Sequence, residues 1–172
     1  MREIIINENL LNENDINEEK TRVKCLLINS ENKLILGFCN NRFQFPGGHL
    51  KENESLSNGL IREIKEETGI EIENKDYDPY LKIIYYINNY HNQNINIKNI
   101  IYYYFVKTDD KINPMNTNFD KEEIAGRYEL RIIDINDAIM YLQNNLNDDI
   151  KGNNIIYEMI TAIEEYKKLE VK

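Results

Sequence analysis

Six consecutive residues, Arg62-Glu63-Ile64-Lys65-Glu66-Glu67, concentrate acid in a segment that reads as helix. At about 100 degrees per residue, Glu63, Glu66 and Glu67 fall within an arc of about 100 degrees and converge on one side. Leu56, Leu60 and Ile64 recur at every fourth position and form a buried stripe beside them. The acids therefore stand at the edge of a core rather than on the outer face. That costs stability. Like charges three and four apart repel by about a few tenths of a kcal/mol per pair, and acids in the last turns oppose the helix dipole. Gly59 in the same helix costs about 1 kcal/mol relative to alanine. A divalent cation removes the conflict, because carboxylates are hard oxygen ligands suited to Mg2+ or Mn2+. A solvated acidic helix face has the same spacing, and the spacing alone does not separate the two readings. Pro46-Gly47-Gly48 lies just ahead of the helix and lets backbone approach a ligand or turn sharply. Its place before the acids favours the metal site.

Taken together, Gly48 to Ile70 resembles the signature of the Nudix hydrolase family. That pattern is a Gly, five residues, Glu, seven residues, Arg-Glu, an aliphatic, any residue, Glu-Glu, any residue, Gly and an aliphatic. Here it runs Gly48, Glu54, then Arg62-Glu63-Ile64-Lys65-Glu66-Glu67-Thr68-Gly69-Ile70, with every defined position present. Within the α/β (α+β) class, the resemblance implies an α/β/α sandwich with a mixed β-sheet and a loop-helix-loop active site. It implies a metal-dependent pyrophosphohydrolase that cleaves a phosphoanhydride bond in a nucleoside diphosphate linked to another moiety. Nucleoside triphosphates, nucleotide sugars, ADP-ribose, dinucleoside polyphosphates and capped RNA ends all satisfy that description. By family roles, Glu63, Glu66 and Glu67 would ligate Mg2+ or Mn2+, or one of them would act as base. Gly48 would support the turn and could lend its carbonyl to the metal. Arg62 would pair with a carboxylate and hold it in place. Glu54 would brace the loop or reach metal through water. A further acid outside the signature is expected from Asp120-Lys121-Glu122-Glu123, with Glu123 preferred. The expected catalytic set is Glu63, Glu66, Arg62 and Glu123.

The chemistry suits these residue types. A phosphoanhydride carries charge that repels a nucleophile, and a metal ion neutralises that charge and acidifies water. A carboxylate can then take the proton from that water. Arginine gives a fixed two-point grip on a carboxylate that lysine does not.

These groups must be positioned by the rest of the chain. Ile4-Ile5-Ile6 reads as a short strand, and Asn7 to Lys20 as polar loop or loose helix. Val23 to Ile28 and Lys33 to Phe38 read as a hairpin about the turn Asn29-Ser30-Glu31-Asn32. Arg42 to Phe45 is a short aromatic strand. The acidic helix spans Glu54 to Thr68, with Ser55 as its cap and Gly69 as its stop. Ile70 to Ile72 is read as opening a strand. Tyr80 to Ile87, Asn99 to Lys107 and Tyr128 to Ile133 are further strands, with loops at Asn88 to Lys98 and Thr108 to Gly126. Ile135 to Leu146 and Asn154 to Leu169 read as helices. No repeat or long linker appears, so a single domain over residues 21–172 follows an N-terminal arm of residues 1–20.

With 172 residues the chain can bury one sizeable core. Its net charge of -9, with no run of Lys or Arg, disfavours DNA or a long nucleic-acid partner. A small phosphorylated substrate remains compatible, since a bound cation bridges acidic protein and anionic ligand. Cys25 and Cys39 are read as buried thiols in a reducing compartment rather than a disulfide or half a zinc site. The start of the chain lacks the pattern of a signal peptide, and no apolar run approaches a membrane span. A cytoplasmic location is expected. The N-terminal arm and the C-terminal helix could support a homodimer.

Other residues are given bland readings. His49 and His91 are read as loop residues, Arg22 as a surface salt bridge, and Phe43 and Phe45 as core. Tyr102-Tyr103-Tyr104-Phe105 alternates between sheet faces. A nucleotide sensor that binds without cleaving is the alternative to the enzyme, and the complete acid set speaks against it. An isomerase of the isopentenyl diphosphate type would need a further Cys and Glu pair that the sequence does not offer.

Overall fold

A computed structural model describes residues 1–146 and 150–170. Within these, seven strands form one sheet: β1 (Arg2–Ile6), β2 (Glu18–Ile28), β3 (Lys33–Cys39), β4 (Arg42–Gln44), β5 (Leu81–Ile87), β6 (Ile97–Lys107) and β7 (Glu129–Asp134). The helices are α1 (Leu56–Thr68), α2 (Lys121–Ala125), α3 (Ala138–Gln143) and α4 (Ile150–Glu170). The strand order is β1-β5-β6-β2-β3-β4, and β7 pairs with β3. β1–β5 and β2–β6 are parallel and the other pairs antiparallel, so the sheet is mixed as expected.

The two-residue period of β2 divides the core into two layers. Val23, Cys25 and Leu27 face Leu60 and Ile64 of α1, together with Tyr104 and Val106 of β6. Leu26 and Ile28 face the other way, into a layer with Ile101, Tyr103 and the α4 residues Ile156, Met159, Ile160 and Ile163. Helices thus cover both faces of the sheet, which is the α/β/α arrangement. α4 is tied down by polar contacts as well. The Tyr80 hydroxyl donates to the Ala162 carbonyl at 2.9 Å, and Arg2 of β1 pairs with Glu165.

One irregularity of the sheet matters for the site. β2 pairs with β3 only at Leu27↔Ile35 and Ile28↔Leu34. Beyond that point β3 pairs with β4 along the same stretch, at Gly37↔Gln44 through Cys39↔Arg42. The start of β2 is therefore released from β3, and its free edge is taken by the segment that follows β4. Cys25 N–H donates to the Pro46 carbonyl at 2.8 Å, Val23 N–H to Gly48 at 3.0 Å, and Leu50 N–H to Thr21 at 3.1 Å.

Several expected boundaries move. β2 begins at Glu18 rather than Val23, because its charged first half pairs in register with β6 from Glu18↔Ile97 onward. Glu13–Asp15 forms a single 3-10 turn within the expected loop. Ile70–Ile72 is not a strand; Ile70 is buried against α1 and the sheet without pairing. The loop from Thr108 to Gly126 contains a 3-10 turn at Pro114–Asn116 and the short α2. The helix expected over 135–146 is confined to Ala138–Gln143. Both cysteines are free, Cys25 buried and Cys39 half-buried. Among the described residues no helix is long and apolar enough to cross a membrane.

α1 is delimited by local chemistry. The Ser55 side chain accepts from Asn58 N–H at 3.2 Å, and Gly69 ends the helix at φ 70°, its N–H bonded to the Lys65 carbonyl. A Cβ at Gly69 would lie 1.9 Å from the Asn113 carbonyl oxygen. Gly69→Ala is expected to destabilise the fold by more than the about 1–2 kcal/mol that a left-handed conformation costs an L-residue. Urea denaturation of the variant beside the parent measures it, and an unchanged midpoint would mean that α1 ends by other means.

Candidate active site

The loop Phe45–Gly48 is gripped from both faces. Lys24 of β2 donates its Nζ to the carbonyls of Gly47, at 2.6 Å, and Phe45, at 3.1 Å. From α1, Glu67 accepts the Gly47 N–H on Oε2 at 3.0 Å. The same oxygen accepts the Tyr128 hydroxyl at 2.7 Å. Glu67 is only 3% exposed. Burial raises its pKa, and the Lys24 charge, Tyr128 and the Gly47 N–H work against that rise. Lys24 answers in kind: burial lowers its pKa, and the charge of Glu67 opposes the fall.

Arg62 organises the other acids. Its Nε and Nη2 grip the two oxygens of Glu54 at 2.7 and 2.8 Å. Its Nη1 donates to Glu63 Oε1 at 2.7 Å and Glu66 Oε2 at 2.8 Å. Nη2 also reaches the His49 carbonyl at 3.0 Å. These contacts raise the Arg62 pKa, Glu54 contributing most. Glu54 is held below the usual carboxylate range by Arg62. It sits before the helix rather than in it, and also accepts the Lys51 N–H at 2.9 Å. Burial pushes Glu63 up, against the pull of Arg62. Gly48 packs so closely on Glu63 that a Cβ there would lie 2.7 Å from Oε1. Gly59 is likewise a matter of packing, since a Cβ would lie 2.3 Å from Leu50 Cδ2.

The structure brings Arg62, Glu54, Glu63 and Glu66 into one network, with Glu67 beside it across the Gly47–Gly48 turn. The Gly48 carbonyl, expected as a metal donor, accepts the Val23 N–H; a carbonyl retains a second lone pair. Glu123 lies in α2, where its Oε2 accepts the Asp120 N–H at 2.6 Å and closes a capping box. It is half-buried and its charge reaches Glu67, whereas Asp120 and Glu122 are exposed. Lys24 and Tyr128 were not anticipated. A lysine amid Val23, Cys25 and Leu26 was a visible signal for the first; nothing local marks Tyr128.

A metal fits the donors more readily than the arrangement they now have. Among the described residues no three Asp, Glu, His or Cys side chains form a ready cage. Arg62 draws Glu63 and Glu66 to one nitrogen, while Glu67 turns Oε2 to Gly47 and Tyr128. Yet the donor set is carboxylate oxygen throughout, which suits a hard divalent ion. Burial disfavours the charge on both Glu63 and Glu67, and a cation would offset that cost. His49 is pushed down to about 4 by burial and by the nearby charges of Arg22, Lys20 and Lys24.

Comparison with known proteins places this geometry. The NUDIX domain family matches residues 16–151. Over 59 residues the chain is 36% identical to an RNA pyrophosphohydrolase of Hydrogenovibrio crunogenus (strain DSM 25203 / XCL-2), a stretch covering 33% of this chain and 36% of that protein. The match thus spans about a third of that relative's length. A MutT protein from Methanosarcina mazei Go1 shares the fold with a TM-score of 0.54 at 16% identity, over 90% of this chain and 96% of that one. A NUDIX hydrolase from Nitrosomonas europaea shares it with a TM-score of 0.52 at 16% identity, over 87% of this chain and 88% of that one.

Tyr128→Phe removes one of the two donors on Glu67 Oε2 while keeping the ring. Leaving a buried acceptor short of a partner costs about 1–3 kcal/mol, so a loss of that size is expected in urea denaturation. A variant as stable as the parent would mean that the phenol does not hold Glu67.

Proposed function

Because the chain belongs to the NUDIX domain family, we propose that it is a metal-dependent hydrolase cleaving a phosphoanhydride bond in a nucleoside diphosphate linked to a further moiety. The observation that carries this reading is the convergence of Glu63 and Glu66 on one atom of Arg62, with Glu67 buried against the Gly47–Gly48 turn. Mg2+ or Mn2+, when bound, would neutralise the phosphate charge and acidify water. Glu63, Glu66 and Glu67 are the residues that would hold it. The Gly48 carbonyl is a fourth candidate through its second lone pair.

Arg62 holds Glu63 and Glu66 close together through one nitrogen. The attacking water forms a bond to phosphorus, the bridging P–O bond breaks, and the departing phosphate keeps the electron pair. We assign the proton of that water to Glu66 Oε1, the oxygen turned away from Arg62. Glu66 is 26% exposed at its side chain, more than Glu63 at 12%, and so is better placed to meet water. Glu123, half-buried and in electrostatic reach of Glu67, is the further acid we assign to the site. The Hydrogenovibrio relative is named for an RNA substrate. A net charge of -9 favours a small substrate over a long RNA.

The test is nucleotide or phosphate release from a panel of nucleoside diphosphate derivatives with Mg2+ or Mn2+, beside Glu66→Gln. Turnover is expected to vanish with a chelator and to fall by about 10²–10⁴-fold in Glu66→Gln, the range of general base catalysis. Equal turnover in parent and variant would remove Glu66 from this role. Turnover unaffected by chelation would overturn the metal-dependent reading as a whole.

A further inference from the structure

β1 and β7 are outer strands of the sheet, and they differ in what they present. Among the described residues β1 pairs with β5 alone and β7 with β3 alone. An unpaired edge is a template for another strand, and proteins blunt it with charge, proline or extra twist. β7 is blunted. Glu129, Arg131 and Asp134 charge it, and Arg131 pairs with Glu129 at 2.7 Å. Self-pairing of β7 about its exposed Ile132 would set Arg131 against Ile133 and Leu130 against Asp134. β1 has no such defence at its centre, since Ile4-Ile5-Ile6 holds neither charge nor proline.

The geometry of β1 leaves its apolar side chains and its main chain ready for a neighbour. Arg2 N–H donates to the Tyr80 carbonyl at 2.9 Å, so alternation turns the N–H and C=O groups of Glu3 and Ile5 away from β5. Ile4 and Ile6 pack into the α4 layer. Ile5 faces the other way, in line with Ile84 of β5 and Ile100 of β6. Ile84 and Ile100 are buried, yet Ile5 is 58% exposed. A row of three isoleucines therefore crosses the sheet and ends open at its edge.

We propose that β1 pairs antiparallel with β1 of a second copy of this chain, about a two-fold axis at Ile5, so that two sheets join into one. A two-fold interface must be self-complementary, and this register is. Ile5 stands opposite the partner's Ile5 and carries the isoleucine row across the axis. Ile4 stands opposite the partner's Ile6 on the α4 face. Glu3, already paired with Lys82 at 2.9 Å, meets the partner's Asn7. Arg2 meets the partner's Glu8, an exposed acid. Arg2 binds Glu165 on α4, and its side chain is still 53% exposed.

The neighbouring registers lack this match. An axis at Ile4 sets Glu3 against the partner's Ile5 and Arg2 against the partner's Ile6. An axis at Glu3 opposes two like charges, which destabilises a strand pair. An axis at Ile6 sets Ile4 against the partner's Glu8. Only the axis at Ile5 places apolar against apolar and positive against negative, and such agreement is what fixes a register. Its main-chain geometry agrees as well, because the outward N–H and C=O groups of the two Ile5 residues can exchange both bonds. β5 and β6 separate this edge from β2, so the pairing leaves the Gly47–Gly48 turn and the acids of α1 untouched.

Sedimentation velocity over a range of concentrations tests this on the full chain. The parent is expected at twice its 20.5 kDa chain mass. Ile5→Lys sets two like charges at the axis, and the dissociation constant of the dimer should rise at least about tenfold. Its circular dichroism should match the parent's, because Ile5 is mostly exposed within one chain. Ile5→Cys tests the register, whether or not the lysine variant folds. Directly opposed Cα atoms lie about 5.5 Å apart, within reach of a disulfide, so mild oxidation should link this variant to its own copy. Glu3→Cys, displaced along the strand from its own copy, should stay unlinked, as should the parent, whose Cys25 is buried and Cys39 half-buried. A parent at the single-chain mass at every concentration would overturn the proposal. So would a dimer that Ile5→Lys leaves intact, or one in which Ile5→Cys does not link.

Discussion

The peptide group of Gly47 is held at both ends by opposite charges, and the rest of the site depends on that grip. Its carbonyl takes the Lys24 ammonium and its N–H points at the Glu67 carboxylate. Neither charge would be stable alone in the interior, where an unpaired ion costs several kcal/mol or more. Through the turn between them, each lessens the other's desolvation. The consequence is mechanical. β2 on one side and α1 on the other cannot shift relative to the turn without exposing a buried charge to an apolar environment. The loop that would face the substrate is thereby rigid before any ligand arrives, which is what a positioning site requires.

Arg62 plays the complementary part for the more exposed acids. Carboxylates crowded on one helix side repel, and left alone would swing apart into solvent. The guanidinium engages Glu54 through Nε and Nη2, and Glu63 and Glu66 together through Nη1. It also takes the His49 carbonyl, tying the helix to the segment after the turn. Lysine, with a single ammonium, could not address these directions together. The helix penalties noted from the sequence are therefore offset locally: the like charges by Arg62, and Gly59 by the space that Leu50 occupies.

What could be read from the sequence follows from how far each interaction reaches. α1, its Ser55 cap and its Gly69 stop arise within one helix and are found, with the helix starting at Leu56 rather than Glu54; of the three acids expected to converge, Glu63 and Glu66 meet at Arg62, while Glu67 turns to Gly47 and Tyr128. The pairing of Arg62 with a carboxylate was expected from the family resemblance, and its two-point partner is Glu54, ahead of the helix. Tyr128 was not, because β7 reaches the site only through its pairing with β3, in which Gly37 faces Leu130. The first half of β2 was missed because Glu18 to Arg22 has no apolar alternation; its parallel ladder with β6 recruits it into the sheet. Ile70–Ile72 erred in the opposite sense. A short apolar run resembles a strand, yet Ile70 satisfies its burial by packing alone. Arg22 was expected in a surface salt bridge, and only the sheet shows that its Nε is enclosed.

The parting of β2 from β3 links these features. Had β2 stayed paired with β3 along its length, the edge that receives Pro46, Gly48 and Leu50 would be filled, and the glycine turn would have no strand to lie on. Because pairing ends after two residue pairs, the same edge anchors the turn and leaves the start of β2 beside a cleft. Alternation then sorts the side chains. Odd positions Val23, Cys25 and Leu27 form the apolar seat for α1 and its acids, while even positions Lys20, Arg22 and Lys24 place positive charge on the opposite face. One strand thereby separates the two signs of charge, with the acids of α1 over its odd face and the cations of its even positions on the other.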